Sequence, residues 1–184
     1  MDGVLVNFID PALDRVNWKL LNDYSPRATD IKEVTGGLIC IEHVDEQSES
    51  YSHDATIYML ECVADDRAWW ASLPPMDGFE DLWDLISPYN PHLITGALKY
   101  GSQEGKTEWV SKWLSPYPEE IIMTHDKHEY ALRDGKTGIL IDDMPKYYMP
   151  FKEHGGIVIV HKNIKDTIKE LEEIIKTCQT KETP

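Results

Sequence analysis

Four short apolar runs, three of them closing on a small or acidic residue, constrain this chain more than any other feature. Leu93-Ile94 ends in Thr95-Gly96, Ile121-Ile122-Met123 ends in Thr124, and Ile139-Leu140-Ile141 ends in Asp142-Asp143. The fourth run is Ile157-Val158-Ile159-Val160. Each is too short for a helix, and each is flanked by segments with helical spacing or turn residues. The alternation from Pro91 onward predicts an α/β layered fold with a mostly parallel sheet. Runs 139–141 and 157–160, apolar at every position, fit strands covered on both faces. Ligands of such sheets bind beyond the carboxyl ends of the strands. Chemistry is therefore expected after Ile94, Met123 and Ile141.

The remaining segments fill in around this frame. Residues 1–8 read as a strand end entering a glycine turn at Gly3. Residues 11–22 read as a helix with Leu13, Val16, Leu20 and Leu21 on one face. Gly36-Gly37 breaks the stretch 25–54, which contains the apolar run Leu38-Ile39-Cys40-Ile41. A single helix is expected from Ala55 to Trp70, ended by Leu73-Pro74-Pro75-Met76 because proline lacks the N–H donor and fixes φ. Short helices follow at 78–87 and 105–114, the second carrying Trp109, Val110 and Trp113. Residues 164–176 make a closing amphipathic helix with Ile164, Ile168, Leu171 and Ile175 on one stripe.

Bulk properties narrow the function classes. The 184 residues suit one domain with an inserted element. A formal net charge of -15 repels nucleic acid polymers, and no Lys/Arg run offsets it. A small phosphorylated ligand is still compatible, because a divalent cation can bridge carboxylates and phosphate. No apolar run reaches the ~18 residues that a membrane span needs, and no signal-peptide pattern opens the chain, so a cytoplasmic protein is expected. Cys40, Cys62 and Cys178 are widely spaced and form no CxxC pair. They read as reduced, mostly buried thiols, not as a zinc site or disulfide framework.

Four polar features stand at strand ends or helix starts: Asp2-Gly3-Val4, Thr95-Gly96, Lys106 at the expected start of a helix, and Asp142-Asp143. Each alone is commonplace, since acidic pairs cap helices and Thr-Gly makes turns. Together they supply what phosphoryl transfer requires: carboxylates for a metal, a hydroxyl and backbone N–H groups for the phosphate oxygens, and a cation for the developing charge. Gly101-Ser102-Gln103-Glu104-Gly105-Lys106-Thr107 imitates a nucleotide-binding P-loop. It has three residues between its glycines where that motif has four, and no strand precedes it.

The order of these features resembles the haloacid dehalogenase superfamily, whose motifs are Asp-x-Asp-Gly-Thr/Val, a strand ending in Thr or Ser, a Lys, and an acidic pair after an apolar strand. Finer matches resemble its 5'(3')-deoxyribonucleotidase branch. They are Trp69-Trp70-Ala71-Ser72-Leu73-Pro74-Pro75-Met76-Asp77-Gly78, Lys106-Thr107-Glu108-Trp109-Val110 and Thr124-His125-Asp126-Lys127. They run from residue 1 to about 145, with none in 23–55.

The resemblance implies a three-layer Rossmann-like core with a parallel sheet, formed by 1–9 and 79–184, and a small helical cap over 10–78. It implies an enzyme releasing phosphate from (deoxy)nucleoside monophosphates with Mg2+. In it Asp2 is the general acid/base and a metal ligand, and Thr95 and Gly96 hold the phosphoryl group. Lys106 neutralises that group, Asp142 and Asp143 complete the metal site, and Phe8 and Trp70 are candidates to stack on the base. Related enzymes are often homodimers, so a dimer is an expectation. The nucleophilic Asp of that motif would stand immediately before Met1, together with a central apolar strand. The same residues fit two other readings: a phosphatase for another small phosphomonoester, or a module that binds metal or nucleotide without turnover.

Overall fold

Helix-forming runs punctuated by Ser, Asp, Gly and Pro set the element order of the computed structural model, which describes residues 1–181. Residues 1–6 form a turn with isolated bridges joining Asp2 to Val6 and Val6 to Pro75, not a strand. Five helices follow: α1 (Ile9–Asn22), α2 (Pro26–Thr35), α3 (Ile41–Val44), α4 (His53–Val63) and α5 (Arg67–Ser72). Next come α6 (Phe79–Ile86), strand β1 (His92–Thr95), α7 (Tyr100–Trp113) and β2 (Glu120–Met123). A small antiparallel hairpin, β3 (Leu132–Arg133) and β4 (Lys136–Thr137), precedes β5 (Ile139–Asp142). Helix α8 (Pro145–Glu153), β6 (Ile157–Val160) and α9 (Ile164–Lys181) complete the chain. No helix among the described residues is long and apolar enough to cross a membrane.

The chain divides into two compact units. The first contains 1–6, 75–96 and 113–184; the second contains 7–74 and 97–112. Helices α1 to α5 lie in the second unit. Segment 97–112, expected with 79–184, clusters with them.

The first unit is mixed α/β. Strands β1 and β2 pair in parallel, in register from His92–Glu120 to Thr95–Met123. Strands β5 and β6 pair in parallel from Ile139–Ile157 to Asp142–Val160. Helices α7 and α8 supply the crossovers that parallel pairs require. Among the described residues these are two separate two-stranded sheets. Two-sided coverage fails for the outer positions: Ile139, Ile157 and Val160 are exposed, while Leu140 and Ile159 are buried. A two-stranded pair leaves the flanks of its strands open, so apolar composition alone did not fix burial. Ala131, Leu140 and Phe151 form one core here. Phe79, Leu82 and Trp83 bury a face of α6, and the Trp83 indole N–H donates to Pro116 O at 3.0 Å. Ile164 and Leu171 of α9 are buried as their spacing predicts.

The second unit is helical. Ala12, Val16 and Leu20 of α1 pack with Ala28, Ile31, Ile39, Ala55, Tyr58 and Met59. The buried stripe steps by four residues, which turns Leu21 outward and leaves it exposed, apart from the face it was expected to share with Val16 and Leu20. The expected single helix 55–70 is two, because Asp66 caps α5 by accepting the Trp69 N–H at 3.1 Å and accepts Arg15 at 2.7 Å. Helix α7 begins at Tyr100, so Lys106 lies mid-helix and not at a helix start. Gly101–Lys106 is helical, which excludes a P-loop there. Cys40 and Cys178 are exposed and Cys62 is half-buried, so the thiols are less buried than expected.

Candidate functional site

The carboxyl ends of the four parallel strands gather the polar residues of the first unit. Thr95 closes β1 and is 1% exposed. The Thr124 N–H donates to Thr95 O at 3.0 Å, carrying the β1–β2 ladder one residue past the strands. That step sets Thr124 and His125 beside Thr95 and Gly96. The His125 ring packs so closely on Gly96 that a methyl group there would lie 2.5 Å from Cε1 and 2.8 Å from Nδ1.

Lys127 joins the ends of β2 and β5. Its ammonium ion-pairs with Asp142 Oδ2 at 2.6 Å, with side-chain exposures of only 7% and 4%. Asp142 Oδ1 accepts the Met144 N–H at 2.9 Å, which fixes the carboxylate at the entry to α8. The Lys127 ammonium also sits 4.4 Å from the centre of the Tyr147 ring. Tyr147 in turn shares a 3.1 Å hydrogen bond with His125 Nδ1, and the two rings lie nearly parallel. A continuous chain, His125–Tyr147–Lys127–Asp142, thus ties the end of β2 to the end of β5.

Asp143 faces the N-terminal turn. Gly3 adopts φ +74°, and a side chain there would overlap the Asp143 carboxylate. The turn bearing Asp2 therefore packs directly on the acidic pair. Asp2 is half-buried, with Oδ1 enclosed. Burial, and then the neighbouring Asp142 charge, push the Asp143 carboxyl above the ordinary carboxylate range. The Asp142 carbonyl accepts the His161 N–H at 2.9 Å. His161 is buried, shares a 2.8 Å hydrogen bond with Thr167 Oγ1, and has its pKa lowered by that burial.

The donor set suits a hard divalent cation, which takes carboxylate and carbonyl oxygens. A cation would offset the repulsion that raises the Asp143 pKa. Among the described residues, however, no three His, Cys, Asp or Glu side chains already converge as a formed metal cluster.

The structure therefore brings Asp2, Thr95, Gly96, Asp142 and Asp143 into one unit, while Phe8, Trp70 and Lys106 belong to the other. There, Trp70 is 2% exposed and its indole N–H donates to Val63 O at 2.8 Å. Phe8 stacks on it at 5.3 Å, and the buried Lys106 ammonium lies 4.6 Å from its ring centre. Within this unit an open hollow of about 440 Å³, lined by Trp18, Asp23, Tyr24, Tyr58 and Cys62 among others, holds none of the expected residues.

Sequence reasoning missed Lys127, Tyr147 and His125 as site residues. Lys127 carried a signal, the Thr-x-Asp-Lys spacing after β2, but its pairing with Asp142 fifteen residues later could not be read from spacing. Comparison with family models, curated proteins and solved structures finds no match.

Proposed function

We propose that this chain is a Mg2+-dependent phosphomonoesterase of the haloacid dehalogenase superfamily, close to the 5'(3')-deoxyribonucleotidases, acting on (deoxy)nucleoside monophosphates. The observation that carries the reading is the convergence, within one unit, of Thr95-Gly96, the Lys127–Asp142 pair and the Asp143–Gly3 contact. The proposed core is a single parallel sheet that takes in both the β1–β2 and the β5–β6 pairs. The two open parallel pairs are compatible with that arrangement.

In this reading Thr95 and the Gly96 N–H seat the phosphoryl group. The backbone carbonyl of Asp2 and the carboxylates of Asp142 and Asp143 would hold Mg2+, which would supply charge neutralisation at the phosphoryl oxygens. In the family that the motifs resemble, the first Asp of Asp-x-Asp, of which Asp2 matches the second, attacks phosphorus in line and forms an aspartyl-phosphate as the bond to the nucleoside oxygen breaks. Asp2 gives its proton to that leaving oxygen, then takes one from the water that hydrolyses the acyl phosphate. Lys127 holds Asp142 in orientation, and Lys106 is the cation the motif order assigns to the phosphate. Phe8 and Trp70 are the aromatics that the resemblance assigns to the base; Trp70 is buried and Phe8 only partly so. Substrates other than nucleotides would share every step except that contact.

The test is the double substitution Asp142→Asn with Asp143→Asn, assayed for phosphate release over a Mg2+ titration. The reading expects activity and Mg2+ dependence to disappear together. Activity retained in the double variant would remove the metal assignment.

A further inference from the structure

We propose that His125, oriented by Tyr147, is a substrate-contacting residue whose imidazole N–H bonds the phosphoryl group seated at Thr95 and Gly96. The inference deepens the phosphatase reading and rests on it. His125 stands on the turn after β2, beyond the last ladder bond between Thr124 and Thr95. The Asp126 N–H donates to Thr124 Oγ1 at 3.0 Å, which fixes that turn.

An exposed histidine on a loop ordinarily samples several rotamers, but this ring is held on two sides. On one side it covers Gly96, with both nitrogens within 3.4 Å of where a Cβ would stand. On the other its Nδ1 meets the Tyr147 hydroxyl at 3.1 Å. Tyr147 is itself seated on the Lys127 ammonium, and Lys146 lies 5.3 Å from the same ring. Two cations therefore flank the ring that positions His125.

Nε2 carries a proton in the charged imidazole and in the neutral tautomer that accepts the Tyr147 O–H at Nδ1. When the Tyr147 O–H donates to Nδ1, the neutral imidazole carries its proton on Nε2. When the imidazole is charged, both nitrogens donate and Tyr147 accepts. In both cases an N–H is presented beside Gly96, where the backbone approaches any bound anion most closely. A donor is needed there because Lys127 is committed to Asp142 and the nearby carboxylates repel a phosphate dianion.

The test reads binding and turnover separately. Inorganic phosphate with Mg2+ is titrated into the chain while the His125 ring signals are followed by NMR. Steady-state phosphate release is measured for His125→Ala, His125→Gln and Tyr147→Phe, each in the chain extended to carry the aspartate that the phosphatase reading requires ahead of Met1. The expected result is a phosphate-dependent shift of the His125 ring and a rise in KM of about tenfold in His125→Ala, equivalent to about 1.4 kcal/mol. Partial rescue is expected in His125→Gln, which keeps a donor, with a smaller rise in Tyr147→Phe and kcat less affected than KM. Phosphate release by the wild type with an unchanged KM in His125→Ala overturns this inference alone. A wild-type chain that neither binds inorganic phosphate nor releases it overturns the inference and the phosphatase reading together.

Discussion

Removing the Lys127 ammonium should be among the most damaging single changes in the first unit. Lys127→Met keeps the length and apolar stem of the side chain but leaves Asp142 buried without its 2.6 Å partner. Breaking a buried pair by removing one member costs about 3–5 kcal/mol, because the surviving charge is desolvated and uncompensated. The lost approach to the Tyr147 ring adds about 0.5–2 kcal/mol. In a chain of this size each kcal/mol is worth ~2–4 °C in Tm, so the substitution should lower Tm by roughly 7–28 °C. Urea unfolding of Lys127→Met, Asp142→Leu and the double variant closes the cycle. The double variant should recover much of the loss, since it buries no unpaired charge. A cost below about 1 kcal/mol in Lys127→Met would show that water reaches the pair and refute the buried-pair argument.

Trp70→Ala should cost ~3–5 kcal/mol in the second unit, measured by urea unfolding, since it empties the site of a buried indole stacked on Phe8. Gly3→Ala should destabilise by at least ~1–2 kcal/mol, because φ +74° disfavours a Cβ and Asp143 occupies its space. An unchanged unfolding midpoint would mean the turn does not pack on Asp143. His161 predicts a pH dependence. Burial holds its folded pKa below the ordinary 6.5, so in the window below 6.5 the unfolded chain binds more protons and stability falls as pH drops. Unfolding midpoints at pH 7.5 and 5.5 should differ more in the wild type than in His161→Gln; an equal drop in both would contradict this.

Strands β1, β2, β5 and β6 were legible because short apolar runs bounded by turn residues have few other ways to fold. Thr95, Gly96, Asp142 and Asp143 stand at strand ends, as the runs imply, and lie in the first unit. What spacing could not show was pairing across sequence. Lys127 and Asp142 meet through the β2 and β5 ends, and nothing local in Asp126-Lys127-His128 distinguishes a buried lysine from a solvated one. Likewise Lys106 looked like a helix-start cation, yet α7 begins six residues earlier because Ser102 Oγ accepts the Leu98 and Lys99 N–H groups at 2.9 and 3.0 Å and caps that turn. The break between α4 and α5 rested on Asp66, whose capping role competes with an otherwise continuous helical pattern. The β3–β4 hairpin and α8 were not read at all. The hairpin strands are two residues each, and Pro150 inside α8 disguises a helix.

The central claim, Mg2+-dependent hydrolysis of nucleoside monophosphates, is tested most directly by phosphate release. The substrates are a panel of deoxynucleoside monophosphates and sugar phosphates, with and without Mg2+. The enzyme is a chain carrying an aspartate and an apolar strand directly ahead of Met1. The account predicts release from the nucleotides only when Mg2+ is present, abolished when that aspartate is replaced by asparagine. Mg2+-independent release, or none from any phosphomonoester by a folded chain, would contradict it.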